Sequence, residues 1–128
     1  MLDPRVLVVD DNEIELDVLR VVLEAAGFEV STLSSVFELS TTIRHQRPDV
    51  ILLDVYMPAL SGDRAAAILK QYGFSRDIPV IFHSSAEADE LATLTAAAGA
   101  HGFVRKTGDF DGLIETLREA LGQQASAR

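Results

Sequence analysis

The 128-residue chain contains no cysteine, which excludes disulfides, thiolate nucleophiles and thiolate zinc sites and suits a cytoplasmic setting. Basic residues are scarce: 11 Lys and Arg stand against 20 Asp and Glu, a formal net charge of −9. That balance argues against a general nucleic-acid or anionic-membrane surface. No apolar run approaches the ~20 residues of a membrane-spanning helix, and the stretch from Met1 to Arg5 lacks the apolar segment of a signal peptide. What remains is an ordinary globular composition, 48% hydrophobic and 24% charged, with material for one core and not two. No internal repeat, low-complexity segment or linker interrupts it.

Arg5 to Val9 is a β-branched run, apolar at successive positions, that stops at Asp10 and Asp11; this predicts a central parallel strand buried on both faces. Asn12 and Glu15 form a capping-box pair opening a helix through about Ala26, with Ile14, Val18, Val21, Val22 and Ala25 expected on one buried side. Gly27 stands in the usual place to end it. A second strand is predicted from Phe28 to Leu33. Ser35 and Glu38 repeat the capping pattern for a helix that stops before Pro48. Asp49 to Asp54 reads as a third strand, followed by a loop from Val55 to Gly62 punctuated by Pro58. An Ala-rich helix from Asp63 to Tyr72 comes next. Pro79 to His83 is the fourth strand, Ala86 to Ala98 a helix closed by Gly99, and Gly102 to Arg105 the fifth strand. The last helix runs from Phe110 to Leu121 with Asp109 as cap, and the tail beyond it is expected to fray. Five strands alternating with five helices predict one α/β domain whose parallel sheet is covered on both faces. Its ordered core is expected over about residues 4–122.

Sites in open parallel sheets form outside the carboxyl ends of the strands. Asp10 and Asp11 fall there after the first strand, Asp54 after the third, Ser84 after the fourth and Lys106 after the fifth. Three carboxylates in one cleft repel one another, which raises a pKa or recruits a cation. An all-oxygen donor set favours a hard ion such as Mg²⁺. Lys106 answers part of the charge and can hold an incoming anion. Singly, each residue has a structural explanation: Asp11 or Asn12 as a helix cap, Ser84 as a turn hydroxyl, Lys106 as a surface charge. Their meeting at one sheet edge reads as a site. His45, His83 and His101 lack ligand spacing; His83 reads as packed within its strand and His101 as a surface residue. Phe28, Phe37, Phe74, Phe82 and Phe110 read as core or packing residues.

The stretches Val6–Asp11, Pro48–Asp54, Met57-Pro58 with Ser61-Gly62, Ile78–Ile81, Ser84-Ser85 and Gly99-Ala100 through Phe103 to Lys106 resemble, in order and spacing, the receiver domain of bacterial two-component response regulators. The likeness extends over essentially the whole chain. It implies a flavodoxin-like (βα)5 single domain with a five-stranded parallel sheet of order 2-1-3-4-5, flanked by helices on both faces. It also implies a domain that takes a phosphoryl group from a sensor histidine kinase or histidine phosphotransfer protein. By the same likeness it signals to a downstream protein or attached output domain through a changed protein-binding face, with homodimerisation one form of that change. By resemblance Asp54 is the phosphoacceptor, and Asp10, Asp11, Asp54 and the backbone carbonyl of Tyr56 hold Mg²⁺. Lys106 and Ser84 bind the phosphoryl oxygens, and Ser84 and Phe103 form the switch. No direct nucleic-acid or membrane contact is implied, and no separate substrate is turned over; the acceptor only loses its own phosphoryl group slowly.

Three residues depart from the common pattern. Thr107 follows Lys106 where many receivers carry Pro, Tyr56 is bulky at a position that influences water access to the acyl phosphate, and Asp63 is charged where apolar residues are common. Two other classes compete. A small Mg²⁺-dependent phosphatase or phosphotransferase of the haloacid-dehalogenase type needs a second Asp two residues past its aspartyl nucleophile, where Tyr56 stands after Asp54. A flavin binder needs a Ser/Thr/Gly phosphate loop where Asp10 and Asp11 stand. A degenerate, binding-only receiver is the third alternative.

Overall fold

In the computed structural model, which describes residues 3–55 and 78–126, the run Arg5–Val9 forms β1 and leads into α1 (Glu13–Ala25). There follow β2 (Glu29–Leu33), α2 (Leu39–Gln46), β3 (Val50–Asp54), β4 (Val80–Ser84), α3 (Ala88–Ala98), β5 (Gly102–Arg105) and α4 (Phe110–Ser126). All neighbouring strands pair in parallel, in the order β2-β1-β3-β4-β5. This is the expected flavodoxin-like arrangement. The helix expected over 63–72, and the loop from residue 56 to 62, lie outside the described residues.

Strand position explains composition. The central strands β3 and β4 are buried at every residue, whereas the edge strands β2 and β5 are mostly half-buried. Alternation along the strands sorts their side chains onto two faces. On one face Leu7, Val9, Ile51, Leu53, Val80 and Phe82 pack with Leu39 and Ile43 of α2 and Leu91 of α3. On the other, Val6, Val8, Val50, Leu52 and Ile81 pack with Leu16, Leu19 and Leu23 of α1 and Leu113 and Leu117 of α4. Each fully buried leucine contributes on the order of 2 kcal/mol by removal of apolar surface from water.

The helix ends follow local chemistry with three corrections. Gly27, at φ 98°, closes α1 as expected: its N–H donates to the Glu24 carbonyl while Phe28 N–H donates to Leu23, the paired bonds of a Schellman stop. Asp109 caps α4 by accepting from Gly112 N–H at 3.0 Å. The first correction concerns α1, which buries Leu16, Leu19 and Leu23 and leaves Ile14 and Val21 77% and 68% exposed, with Val18 also exposed. Both sides of this helix are apolar, and its rotation is set by polar anchors: Asn12 caps it, and Arg20 donates to the Val30 carbonyl and the Thr32 hydroxyl. Second, α2 begins at Leu39 with no side-chain cap, so Ser35 and Glu38 do not form a capping box, and Phe37 just before it, expected to pack, is 82% exposed. Third, α4 runs on to Ser126; Gln123 to Ala125 favour helix and no proline stops it.

Candidate functional site

Among the described residues, the buried polar side chains are Asp10, Asp54, His83 and Ser84. All four lie at the carboxyl edge of the sheet. Asp10 follows β1, Asp54 ends β3, and His83 and Ser84 end β4, while Asp54 and His83 are register partners. The parallel pairing of β1 with β3 brings Asp10 and Asp54 together, and Asp11 joins them: one carboxylate oxygen from each of the three lies within 4.8 Å of the others. This is the cluster expected from sequence, with an oxygen-only donor set that fits a hard divalent cation.

Lys106, just past β5, supplies the counter-charge. Its Nζ lies 2.7 Å from Asp10 Oδ2, 2.8 Å from Glu15 Oε2 and 3.2 Å from Asp54 Oδ2. Its backbone N–H donates to the Ser84 carbonyl at 2.7 Å, which fixes the lysine's starting point against β4. Burial alone would raise the Asp10 pKa. The bonds from the Lys106 ammonium and the Asn12 N–H outweigh that penalty and hold it below the usual aspartate value. Burial would likewise lower the Lys106 pKa, but its bonds to Asp10 and Glu15 and the nearby Asp54 charge push it above the ordinary lysine value. Lys106 is therefore a fixed cation.

Glu15 enters this site without having been singled out from sequence. As a capping-box residue it should reach back to the Asn12 N–H. Only half the box forms. Asn12 Oδ1 accepts from Glu15 N–H at 3.1 Å, but the Asn12 N–H donates to Asp10 Oδ1 at 2.9 Å, and the Glu15 carboxylate goes to Lys106. His83 is the other addition. It is buried beside Lys106, and its pKa is lowered to about 4, first by burial and then by the lysine charge. A recess of about 100 Å³ is lined by Glu15, His83, Lys106, Asp109 and Leu113 among others.

Ser84 and Phe103 belong to the opposite face of the sheet. Ser84 alternates with His83 along β4 and shares the side of Phe82 and Val80. Its hydroxyl accepts from the Ala86 N–H at 3.1 Å. Phe103, register partner of Phe82, is half-buried against the α2–α3 core. Two ties hold the neighbouring loop: Arg105 Nε donates to the Ala86 carbonyl at 2.8 Å, and its guanidinium lies 3.6 Å from Glu87. His101 is exposed as expected, yet its Nδ1 accepts from Val80 N–H at 3.2 Å. Tyr56, whose carbonyl the resemblance assigns to the metal, lies outside the described residues. No cis peptide bond occurs among the described residues, Lys106–Thr107 included.

The sequence profile of the response regulator receiver domain matches residues 6–118. The polar-differentiation response regulator DivK of Brucella anthropi is 30% identical over 117 residues, covering 91% of this chain and 95% of that protein. The chemotaxis response regulator CheY4 of Vibrio cholerae superposes with a TM-score of 0.82 at 26% identity, covering 92% of this chain and 98% of the other. A response regulator receiver domain protein from Clostridium thermocellum superposes at 0.84 with 26% identity, covering 98% and 99%.

Proposed function

The chain belongs to the response regulator receiver domain family, and from that membership we propose that Asp54 takes the phosphoryl group, with Asp10, Asp11 and Asp54 holding Mg²⁺ and Lys106 pairing with the phosphoryl oxygens. A receiver is a phosphoacceptor signalling domain, modified on its own side chain and turning over no separate substrate. The observation that carries the residue assignment is the position of Lys106 Nζ, within reach of both Asp10 and Asp54. A fixed cation thus stands beside a buried carboxylate at the sheet edge where an anionic group must arrive.

One oxygen of Asp54 attacks phosphorus in line. The phosphorus–nitrogen bond of the donor phosphohistidine breaks, its electron pair returns to the imidazole nitrogen, and Asp54 becomes an acyl phosphate. Mg²⁺, when bound, neutralises charge on the transferring oxygens. Lys106 adds a second counter-charge whose direction is fixed by its ties to Asp10 and to the Ser84 carbonyl. Family membership implies a histidine kinase or phosphotransfer protein as donor and a protein as output. The bare apolar stripe of Ile14, Val18 and Val21 starts two residues past the Asn12 cap, beside the cleft, and supports α1 as the donor's seat. For output, Ser84 gives up its bond to Ala86 for a phosphoryl oxygen, and Phe103 turns toward the space left behind.

The test is intact-mass analysis after incubation with acetyl phosphate and Mg²⁺. One phosphoryl group should be added, lost in Asp54→Asn and retained in Asp49→Asn, because Asp49 sits at the other end of β3 accepting from Arg5 N–H. Phosphorylation that survives Asp54→Asn unchanged overturns the assignment. Multiple turnover of a generic phosphomonoester would favour the phosphatase alternative.

A further inference from the structure

We propose that Glu15 is a positioning residue that holds Lys106 in the resting cleft and must release it before a phosphoryl group can be bound, so that it acts as a brake on phosphorylation. The inference rests on the reading of Asp54 as acceptor. An ammonium group has three N–H donors, and in this cleft Asp10, Glu15 and Asp54 take one each. An arriving phosphoryl oxygen therefore finds no free donor on Lys106. One existing bond has to break.

Burial decides which. The Asp10 side chain is 1% exposed and that of Asp54 7%, whereas Glu15 is 34% exposed. Releasing Asp10 or Asp54 would take the ammonium from a buried carboxylate, while the more exposed Glu15 can exchange the lysine for water. The recess lined by Glu15, His83 and Lys106 lies directly alongside. Helix capping does not explain where the Glu15 carboxylate sits either, because Asp10 has taken over the Asn12 N–H that a capping glutamate would serve. Glu15 also adds a fourth negative charge to a cleft that must admit an anion.

The experiment compares phosphorylation rates by acetyl phosphate and Mg²⁺ in the unsubstituted chain, Glu15→Gln, Lys106→Ala and the double variant, read by intact mass. Glu15→Gln should raise the rate about two- to fivefold, the range expected for removing a half-exposed ion pair. It should change nothing in the Lys106→Ala background. Beryllofluoride, a phosphoryl mimic, should bind Glu15→Gln more tightly by the same factor. An unchanged or slower rate with unchanged beryllofluoride binding overturns the inference while leaving Asp54 as acceptor. So does an equal rise with and without Lys106, which would mean that removal of a charge, and not release of the lysine, is responsible. If the unsubstituted chain takes no phosphoryl group at Asp54, the acceptor reading falls and this inference with it.

Discussion

Asp10 Oδ2 and Lys106 Nζ lie 2.7 Å apart although 96 positions separate them in the chain. The contact joins the end of β1 to the end of β5 across the middle of the sheet. Lys106→Ala should fold but cost about 3 kcal/mol in chelator, as two buried carboxylates lose their shared cation. The loss should shrink in Mg²⁺, because a cation on Asp10, Asp11 and Asp54 then neutralises the same charges; at ten times its dissociation constant a ligand adds about 1.4 kcal/mol. Urea denaturation with and without Mg²⁺ measures both figures. An equal loss in the two conditions would speak against a shared role for lysine and metal.

His83 makes stability depend on pH. Its pKa is about 4 in the folded chain against an ordinary value of 6.5. Between those values the unfolded chain takes up a proton that the folded chain refuses, so stability falls as the pH drops from 6.5 toward 4, by about 3 kcal/mol in total. The depressed Asp10 pKa acts below this window: its contribution is present above the ordinary 3.8 and is lost as the pH falls through the lower folded value. His83→Leu should therefore flatten the stability profile between pH 4 and 6.5. Denaturation midpoints for both proteins at pH 5 and pH 7 decide it, and parallel slopes would contradict the assignment.

The two sides of α1 should behave oppositely. Leu16→Ala, Leu19→Ala and Leu23→Ala should each cost about 2–5 kcal/mol, as cavities open against the sheet. Serine at positions 14, 18 and 21 should change stability by no more than about 0.5 kcal/mol apiece, since these residues are exposed and serine and valine have similar helix propensities. The same serine triple variant should accept phosphoryl groups from acetyl phosphate at the normal rate and more slowly from a histidine phosphotransfer protein. An unchanged rate from the phosphotransfer protein would remove α1 as the docking face.

The Ser84 hydroxyl starts from a definite bond, to the Ala86 N–H. Saturation with beryllofluoride should break it, exposing the Ala86 amide to faster hydrogen exchange, and should shift the Phe103 ring resonances. The differential bond is worth ~1–3 kcal/mol, enough to move a two-state balance several-fold. If Asp54 is fully occupied while Ala86 and Phe103 remain unchanged, output leaves the molecule by another surface.

Much of this was legible in the sequence because strand ends are marked by abrupt chemistry. Val9 to Asp10 and Leu53 to Asp54 are single-residue changes from buried apolar to buried charged, and the parallel topology forces those points together. The rotation of α1 was not legible, since Ile14, Val18 and Val21 form as regular a stripe as Leu16, Leu19 and Leu23. What turns the helix is a set of polar anchors on other elements. Glu15 was misread for a related reason: a glutamate three residues after Asn12 has an adequate local explanation, whereas its actual partner is 91 positions away. His83 read correctly as a packed strand residue, but its nearness to the cleft depends on register with Asp54, which no local pattern reveals.

The alternation of His83 and Ser84 at the end of β4 has a consequence for how such a regulator can diversify. The carboxylates and Lys106 gather over the α1–α4 face, while Ser84 and Phe103 belong to the α2–α3 face. On the roles proposed above, the sheet stands as a wall between reagent chamber and transmitter, bridged where neighbouring residues face opposite ways. Changes on opposite sides that share no partners should combine additively, so the recipient of the message can be replaced without recalibrating the chemistry that writes it. At positions 83 and 84, as at Arg105 and Lys106, the two compartments share a backbone, and altering one obliges the other to adjust.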